Sequence, residues 1–134
     1  MFIENFNNKQ QSIFLGLAKQ LIASDGIITP TEEAMLAIMQ SQMGAEITSV
    51  DANYEELLSI FDTKKSRASM MLELLGLAHA DKNFHTSDSE TFEKQFIQQV
   101  SKSCSISDAE LNDMESWVVR QFALVSEANQ FMGE

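Results

Sequence analysis

The stretch Leu21 to Glu33, LIASDGIITPTEE, decides the fold of this chain. An apolar helical run ends there at Asp25. Thr29, Pro30 and Glu32 then provide the signals of a new helix: a capping threonine, a proline at the first helical position, and a glutamate that closes a capping box with the threonine. The stretch therefore predicts a helix end joined to a helix start by a tight loop.

A related stretch, Leu77 to Ser89, LAHADKNFHTSDS, follows at a constant offset of 81 − 25 = 56 residues. The helical run again ends at an aspartate, Asp81, and an acid again follows seven positions later, Asp88. Lys82 and Thr86 replace the glycine and the proline of the first copy. We predict an internal duplication of a helix-loop-helix unit, with halves at about 9–62 and 64–127.

Composition favours helices throughout. One proline and five glycines interrupt 134 residues, of which 44% are hydrophobic and eight are methionine. This length and balance are typical of one folded domain, and the abundance of good helix formers argues against many short strands. We predict an all-α chain: a single compact domain over residues 1–134 with about six or seven helices.

Apolar residues three and four positions apart predict where the helices lie. The predicted helices are Lys9 to Ser24, Thr29 to about Met43 or Gly44, Asp51 to Asp62, one between the basic patch Lys64, Lys65, Arg67 and Asp81, one capped by Thr86 or by Ser87 with Glu90, and one opened by a Ser107 and Glu110 capping box. For the last two helices the predicted inward residues are Phe92, Phe96 and Val100, then Leu111, Met114, Val118, Phe122 and Val125. Residues Met1 to Asn8 and Gln130 to Glu134 are predicted to fray.

The charge of −11, from 20 acids and nine bases, disfavours nucleic acid and anionic membrane surfaces as partners. Divalent cations or a basic protein surface would instead be attracted. Cys104 is the single cysteine, so an intrachain disulfide is excluded, and no apolar run reaches membrane-spanning length. We therefore expect a cytoplasmic protein that does not insert into a membrane.

An aspartate at a helix C-terminus is electrostatically unfavourable, so each of the two loops calls for a compensating contact. The carboxylate either accepts hydrogen bonds from loop amides or helps to bind a hard cation, Ca²⁺ or Mg²⁺. The candidate cation ligands are Asp25 with Glu32 or Glu33, and Asp81 with Asp88. An EF-hand is excluded because Ile27 and Phe92 stand where that loop needs oxygen ligands.

The two aspartate loops, LIASDGIITPTEE and LLGLAHADKNFHTSDSE, together with SISDAELNDMESWV, resemble the tellurite-resistance TerB family and the wider TerB-like fold. The resemblance covers about Lys9 to Val125. It implies an all-helical cytoplasmic protein of two pseudo-repeats, an adaptor or sensor in tellurite resistance and stress response with membrane and regulatory partners and no established enzymatic activity. By position it also implies a metal-binding role for Asp25, Glu32, Glu33, Asp81 and Asp88, although Lys82 departs from an acidic pattern.

A rival hypothesis is a metal-dependent, hydrolase-like enzyme that uses His79, Asp81, His85 and Asp88. The sequence contains no HExxH zinc motif, no nucleophile elbow and no phosphate-binding glycine loop. We therefore predict a protein that is not an enzyme and has no certain cofactor. Its expected role is that of an interaction module with a protein partner, with the oligomeric state left open.

Three further features have two interpretations each. The methionine stripe on the second helix fits core packing or a peptide groove, and its members are Met35, Met39 and Met43. Trp117 is either a core anchor, which we expect, or an interface residue. The acids at the start of the sixth helix form a solvated face or bind a basic partner, and they are Asp108, Glu110, Asp113 and Glu115. Cys104 is expected to be a small apolar residue near a helix end.

Overall fold

The structure is a computed structural model, and it describes residues 1–24, 26, 28–80 and 92–134. Within these ranges the chain forms six α-helices and no strand, which confirms the all-α prediction. The helices are α1 (Asn8–Ala23), α2 (Pro30–Ser41), α3 (Leu57–Ile60), α4 (Lys64–Ala80), α5 (Phe92–Ser103) and α6 (Asp108–Phe131). Two short 3₁₀ turns, Ile3–Asn5 and Tyr54–Glu56, precede α1 and α3.

Helix α4 is the centre of the described fold. It packs against the N-terminal 3₁₀ turn and against α1, α2, α5 and α6. Its buried apolar side chains include Met70, Met71, Leu74, Leu75, Leu77 and Ala78. A helix with buried residues on most of its sides must be enclosed by other elements, which explains why the remaining helices surround α4.

Residues 44–53 cross the outside of α1 at a glycine. The Val50 amide donates a hydrogen bond to the Ser12 carbonyl at 3.1 Å. A side chain at Gly16 would collide with the Val50 carbonyl group. Gly16 is therefore the position on α1 that lets this crossing segment lie directly against the helix.

The start of α2 confirms the predicted capping box. The Glu32 amide donates to Thr29 Oγ1 at 3.1 Å, and the Thr29 amide donates to Glu32 Oε1 at 3.0 Å. Pro30 occupies the first helical position. Local sequence signals were sufficient here because every partner lies within three residues.

The two other caps differ from prediction. Helix α1 begins one residue early because Asn7 and Gln10 form a full capping box that the sequence analysis missed. At α6 the Glu110 amide donates to Ser107 Oγ at 3.1 Å, but Glu110 Oε1 accepts from the Ser107 hydroxyl rather than from its backbone. The second box is therefore only half formed.

The N-terminal residues are anchored rather than frayed. Ile3 and Phe6 are buried, and the Phe6 ring lies 5.4 Å from Phe14 and 5.6 Å from Phe61, measured between ring centroids. The prediction for Met1 to Asn8 was wrong because the apolar side chains in this segment reach the core. The prediction for the other terminus was also wrong at its start, since α6 continues to Phe131.

The middle of the chain shows three smaller corrections. The predicted third helix is only the four-residue α3, because Asn53 caps a 3₁₀ turn before it. The basic patch of Lys64, Lys65 and Arg67 lies in the first turns of α4 instead of before it. Phe96 and Val100 are buried as predicted, but Phe92 is 62% exposed. The predicted caps of α5 lie outside the described residues.

The bounds of α1 and α4 match the proposed duplication. Their first residues, Asn8 and Lys64, are 56 positions apart, and their last residues, Ala23 and Ala80, are 57 apart. Equal spacing of two helices does not test common origin, so the duplication stays a prediction. Among the described helices, none combines the length and the apolar character needed to cross a bilayer.

Candidate functional site

An apolar groove of about 230 Å³ opens between the N-terminal turn, α2, α4 and α6. Its lining residues are Met1, Phe2, Met35, Met39, Leu72, Glu73, Gly76, Trp117, Gln121, Phe122 and Val125. Because four separate parts of the chain contribute to it, no single stretch of sequence predicts it. We call this feature the apolar groove.

The α2 wall of the apolar groove consists of methionines. Met39 is buried, and Met35 is half-buried beside it. Met43, the third member of the predicted stripe, packs against the core but does not line the groove. The core-packing interpretation is confirmed for all three side chains, and two of them also line the groove, so the peptide-groove interpretation stays a prediction.

The α6 wall is built from residues that were predicted to be buried. Trp117 is 37% exposed, and its ring centroid lies 5.9 Å from that of Phe2. Phe122 and Val125 are also exposed, while Val118 is the last buried residue of the helix. The core predictions for Trp117, Phe122 and Val125 were wrong because the apolar periodicity of α6 continues beyond the point where the rest of the fold covers it.

Glu73 fixes the wall formed by the N-terminal turn. Its Oε1 atom accepts a hydrogen bond from the Phe2 amide at 2.7 Å. The same oxygen lies 3.1 Å from the α-ammonium of Met1. These contacts join residues about seventy positions apart, so sequence periodicity had no means of finding this carboxylate.

The second half of α6 carries a solvent-exposed apolar stripe that extends away from the groove. The α6 stripe is Leu124, Val125, Ala128, Phe131 and Met132. Its spacing of i, i+1, i+4, i+7 and i+8 is that of the buried face of an amphipathic helix. Phe131 is nevertheless 92% exposed, so within the described structure the stripe faces solvent.

The residues predicted to bind a cation are mostly outside the described ranges. Asp25, Asp81 and Asp88 are not described. Glu32 is buried in its capping box, while its neighbour Glu33 is exposed on α2. Among the described residues, no group of three potential ligands is placed to hold a metal ion. The Ca²⁺ or Mg²⁺ site therefore stays a prediction.

The rival enzyme hypothesis is represented in the described structure by His79 alone. His79 is buried near the end of α4, and its Nε2 lies 3.4 Å from Glu115 Oε1 on α6. Its proposed companions Asp81, His85 and Asp88 lie outside the described residues. The structure thus supplies a helix-to-helix contact for His79, and the catalytic grouping stays untested.

The acids at the start of α6 face basic residues of the same chain. Glu110 and Asp113 line one side of a second groove, of about 430 Å³, and Lys64 and Arg67 line the other. Arg67 also donates from Nη1 to the Phe61 carbonyl at 3.1 Å. Two of the acids therefore share a groove with basic residues of the same chain. Neither interpretation of the sequence included this arrangement.

Cys104 has the structural role expected from the sequence. It lies directly after α5, fully buried, and its amide donates to the Val100 carbonyl at 3.1 Å. Burial raises the pKa of its thiol to about 11, against a smaller opposing effect of the Arg67 charge. A thiol with this pKa is almost entirely protonated near neutral pH, so it is a poor nucleophile.

No protein-family model matches the sequence, and comparison with curated proteins and with solved structures found no match. The resemblance to the TerB family therefore stays a prediction that rests on the quoted motifs. What the molecule does has to be argued from the apolar groove and the α6 stripe themselves.

Proposed function

We propose that this protein is a non-enzymatic interaction module whose apolar groove binds an amphipathic helix of a protein partner. The observation that supports this proposal most directly is the groove itself, with Met35 and Met39 on one side and Trp117 and Phe122 on the other. An adaptor role agrees with what the TerB resemblance implies. On that resemblance the proposal extends to a cytoplasmic function linked to tellurite resistance or stress response.

The size and lining of the groove favour side chains over a small-molecule ligand. Its volume of about 230 Å³ lies below the range of roughly 300 to 1,000 Å³ typical of small-molecule pockets. A helix in a groove inserts a few apolar side chains spaced three or four residues apart, which needs a shallow, elongated site. The apolar groove, which is lined by side chains of α2, α4 and α6, can accept apolar side chains of this kind.

Methionine and tryptophan are suited to such a site for different reasons. Met35 and Met39 have flexible, polarisable side chains that adapt to the shape of a partner. Trp117 provides a large rigid surface, and aromatic residues of this kind dominate binding energies at interfaces. Trp117 therefore favours a tight contact at one position, while Met35 and Met39 tolerate partner side chains of different shapes.

The charge of the chain favours a partner with basic flanks. At −11 the molecule attracts cationic segments over several ångströms and repels acidic ones. Charge affects mainly the association rate and the choice of partner, whereas the apolar contacts determine how long the complex lasts. We therefore propose a partner helix with an apolar face and lysine or arginine on its polar face.

A labelled model helix of leucine and lysine provides the test, with Trp117 fluorescence as a second readout, since it is the single tryptophan. Val125 lines the groove, whereas Val119 is a valine of similar exposure on the same helix outside it. We expect micromolar binding that Val125→Glu weakens about tenfold or more and Val119→Glu leaves unchanged.

The sign of this effect separates apolar docking from charge attraction. An added glutamate strengthens the binding of a cationic peptide wherever simple electrostatic attraction dominates. The groove proposal requires Val125→Glu to weaken binding in spite of that attraction. Equal affinities for the two glutamate variants, or tighter binding by Val125→Glu, would show that the groove is not the binding site.

A further inference from the structure

From Trp117 to the C-cap Met132, α6 repeats its apolar residues every seven positions. Trp117, Leu124 and Phe131 form one row, and Val118, Val125 and Met132 form the row beside it. Val118 is the only one of these six that is buried in the described structure. A seven-residue repeat of this kind is the pattern by which one helix packs along another.

The exposed area is close to what a stable protein interface needs. At roughly 200 Å² for each fully exposed large side chain, the middle of the range for aromatic residues, the exposed parts of Trp117 and the four large residues of the α6 stripe provide about 600 Å². The largest apolar patch of a monomer measures about 300 to 600 Å², while a stable complex buries about 600 to 1,000 Å² on each partner. The patch is therefore at the lower limit for a small dimer interface.

The charge distribution indicates which partner fits this helix. The whole chain carries −11, but residues 116–133 contain Arg120 and Glu127 as their two charged side chains and have no net charge. Two copies of the chain repel each other over most of their surfaces and least along this segment. A contact between like molecules is thus electrostatically easiest here.

The two charged residues also match each other across a two-fold axis. Arg120 and Glu127 are both exposed and seven residues apart, so they lie on the same flank of the stripe. An antiparallel pair of identical helices related by a two-fold axis brings each flank against its own copy. With Leu124 at the axis, Trp117 of one copy faces Phe131 of the other, and each Arg120 lies beside a Glu127.

We propose that the protein forms a homodimer through antiparallel pairing of the second halves of its two α6 helices. This inference goes beyond the proposed function, because the second copy packs on the α6 stripe beside the apolar groove and does not replace the basic partner helix. Two opposite-charge pairs and two aromatic contacts then form at once. The area involved is at the low end for a stable dimer, so we expect a dissociation constant in the micromolar range.

Sedimentation velocity of the full chain across a concentration series gives the first test. We expect the wild type to change from monomer to dimer, and Phe131→Glu to weaken the dimer at least a hundredfold because it places a charge in the apolar contact of both copies. Val119→Glu, on the side of α6 away from the stripe, serves as the matched control and should dimerise like the wild type. A wild type that stays monomeric at several hundred micromolar overturns the inference, as does equal weakening by the control.

Charge reversal gives a test that a heterologous partner could not pass. Arg120→Glu or Glu127→Arg alone creates two like-charge pairs in the dimer and should weaken it about tenfold. An equimolar mixture of the two variants restores opposite charges at both positions, so the mixture should dimerise as tightly as the wild type. A mixture no tighter than either variant alone rules out the antiparallel arrangement.

The model-peptide experiment on Phe131→Glu keeps the two proposals separate. Phe131 lies outside the groove lining, so this variant should remain able to bind the leucine and lysine helix. If the wild type binds the peptide but never dimerises, the groove proposal stands and the dimer proposal fails. If the wild type dimerises but the monomeric variant binds no peptide, the proposed pairing of α6 stands and the groove proposal fails.

Discussion

Replacing Gly16 by alanine should destabilise the protein, although alanine is the better helix former. A Cβ atom at this position would lie 2.9 Å from the carbonyl carbon of Val50 and would also overlap its oxygen. The obstacle is backbone rather than the end of a flexible side chain. The crossing segment must therefore move, and it is tied to α1 by the hydrogen bond from the Val50 amide to the Ser12 carbonyl at 3.1 Å.

The size of the effect follows from three contributions. Overpacking of this kind costs about 1 to 3 kcal/mol, and loss of the Val50 hydrogen bond costs about 0.5 to 1.5 kcal/mol. Removal of a helix glycine offsets about 1 kcal/mol of that cost. We expect Gly16→Ala to lower the free energy of unfolding by about 0.5 to 3.5 kcal/mol.

Gly76 provides the matched control because it is also a helix glycine, on α4, and a Cβ there meets nothing within 4 Å. Gly76→Ala should therefore raise stability by up to about 1 kcal/mol, the ordinary propensity gain. Urea denaturation followed by far-ultraviolet circular dichroism measures all three proteins. If Gly16→Ala is as stable as Gly76→Ala, the close approach of residues 44–53 to α1 is refuted.

Two further predictions concern single side chains. Folding raises the pKa of the Cys104 thiol from its ordinary value of 9.0 to about 11. The protonated thiol therefore contributes to the stability of the folded protein fully below about pH 9, and this contribution is lost as the pH rises towards about 11. The wild type should accordingly lose stability relative to Cys104→Ala across this interval, and its thiol should react with a disulfide reagent at pH 8 only after unfolding; rapid reaction of the folded protein would contradict the burial. Thr29→Ala should lower the free energy of unfolding by about 1 kcal/mol, whereas Thr29→Ser, which keeps the capping hydroxyl, should change it little in the same urea assay. Equal loss in both variants would show that the cap contributes nothing.

The sequence predicted what depends on near neighbours. The capping box of Thr29 and Glu32 was correct because both hydrogen bonds join residues three apart. Burial of Phe96 and Val100 on α5 was predicted correctly because periodicity shows which residues share a face. Cys104 was assigned correctly for a similar reason, since an isolated thiol beside a helix end is usually a small apolar residue.

The sequence did not predict which part of the chain packs against each helix face. The row that includes Val118 and Val125 looks uniform in sequence, yet Val118 is buried and Val125 is 54% exposed. Burial is decided by whether another helix covers that turn, and this depends on where α4 and α2 lie in space. Glu73 was missed for the same reason, because its partner is the Phe2 amide, 71 positions earlier in the sequence.

This difference between the two halves of α6 gives the strongest physical reason to expect a partner. Leu111 and Val118 hold the first half against the core, but Val119 to Phe131 contains no buried residue. Most helical stability in proteins comes from packing of an apolar face, and this half includes valine and phenylalanine, which are not strong helix formers. A second helix packed on the α6 stripe would supply apolar burial that the described residues do not. Association would then stabilise the helical form of this segment in addition to covering its apolar surface.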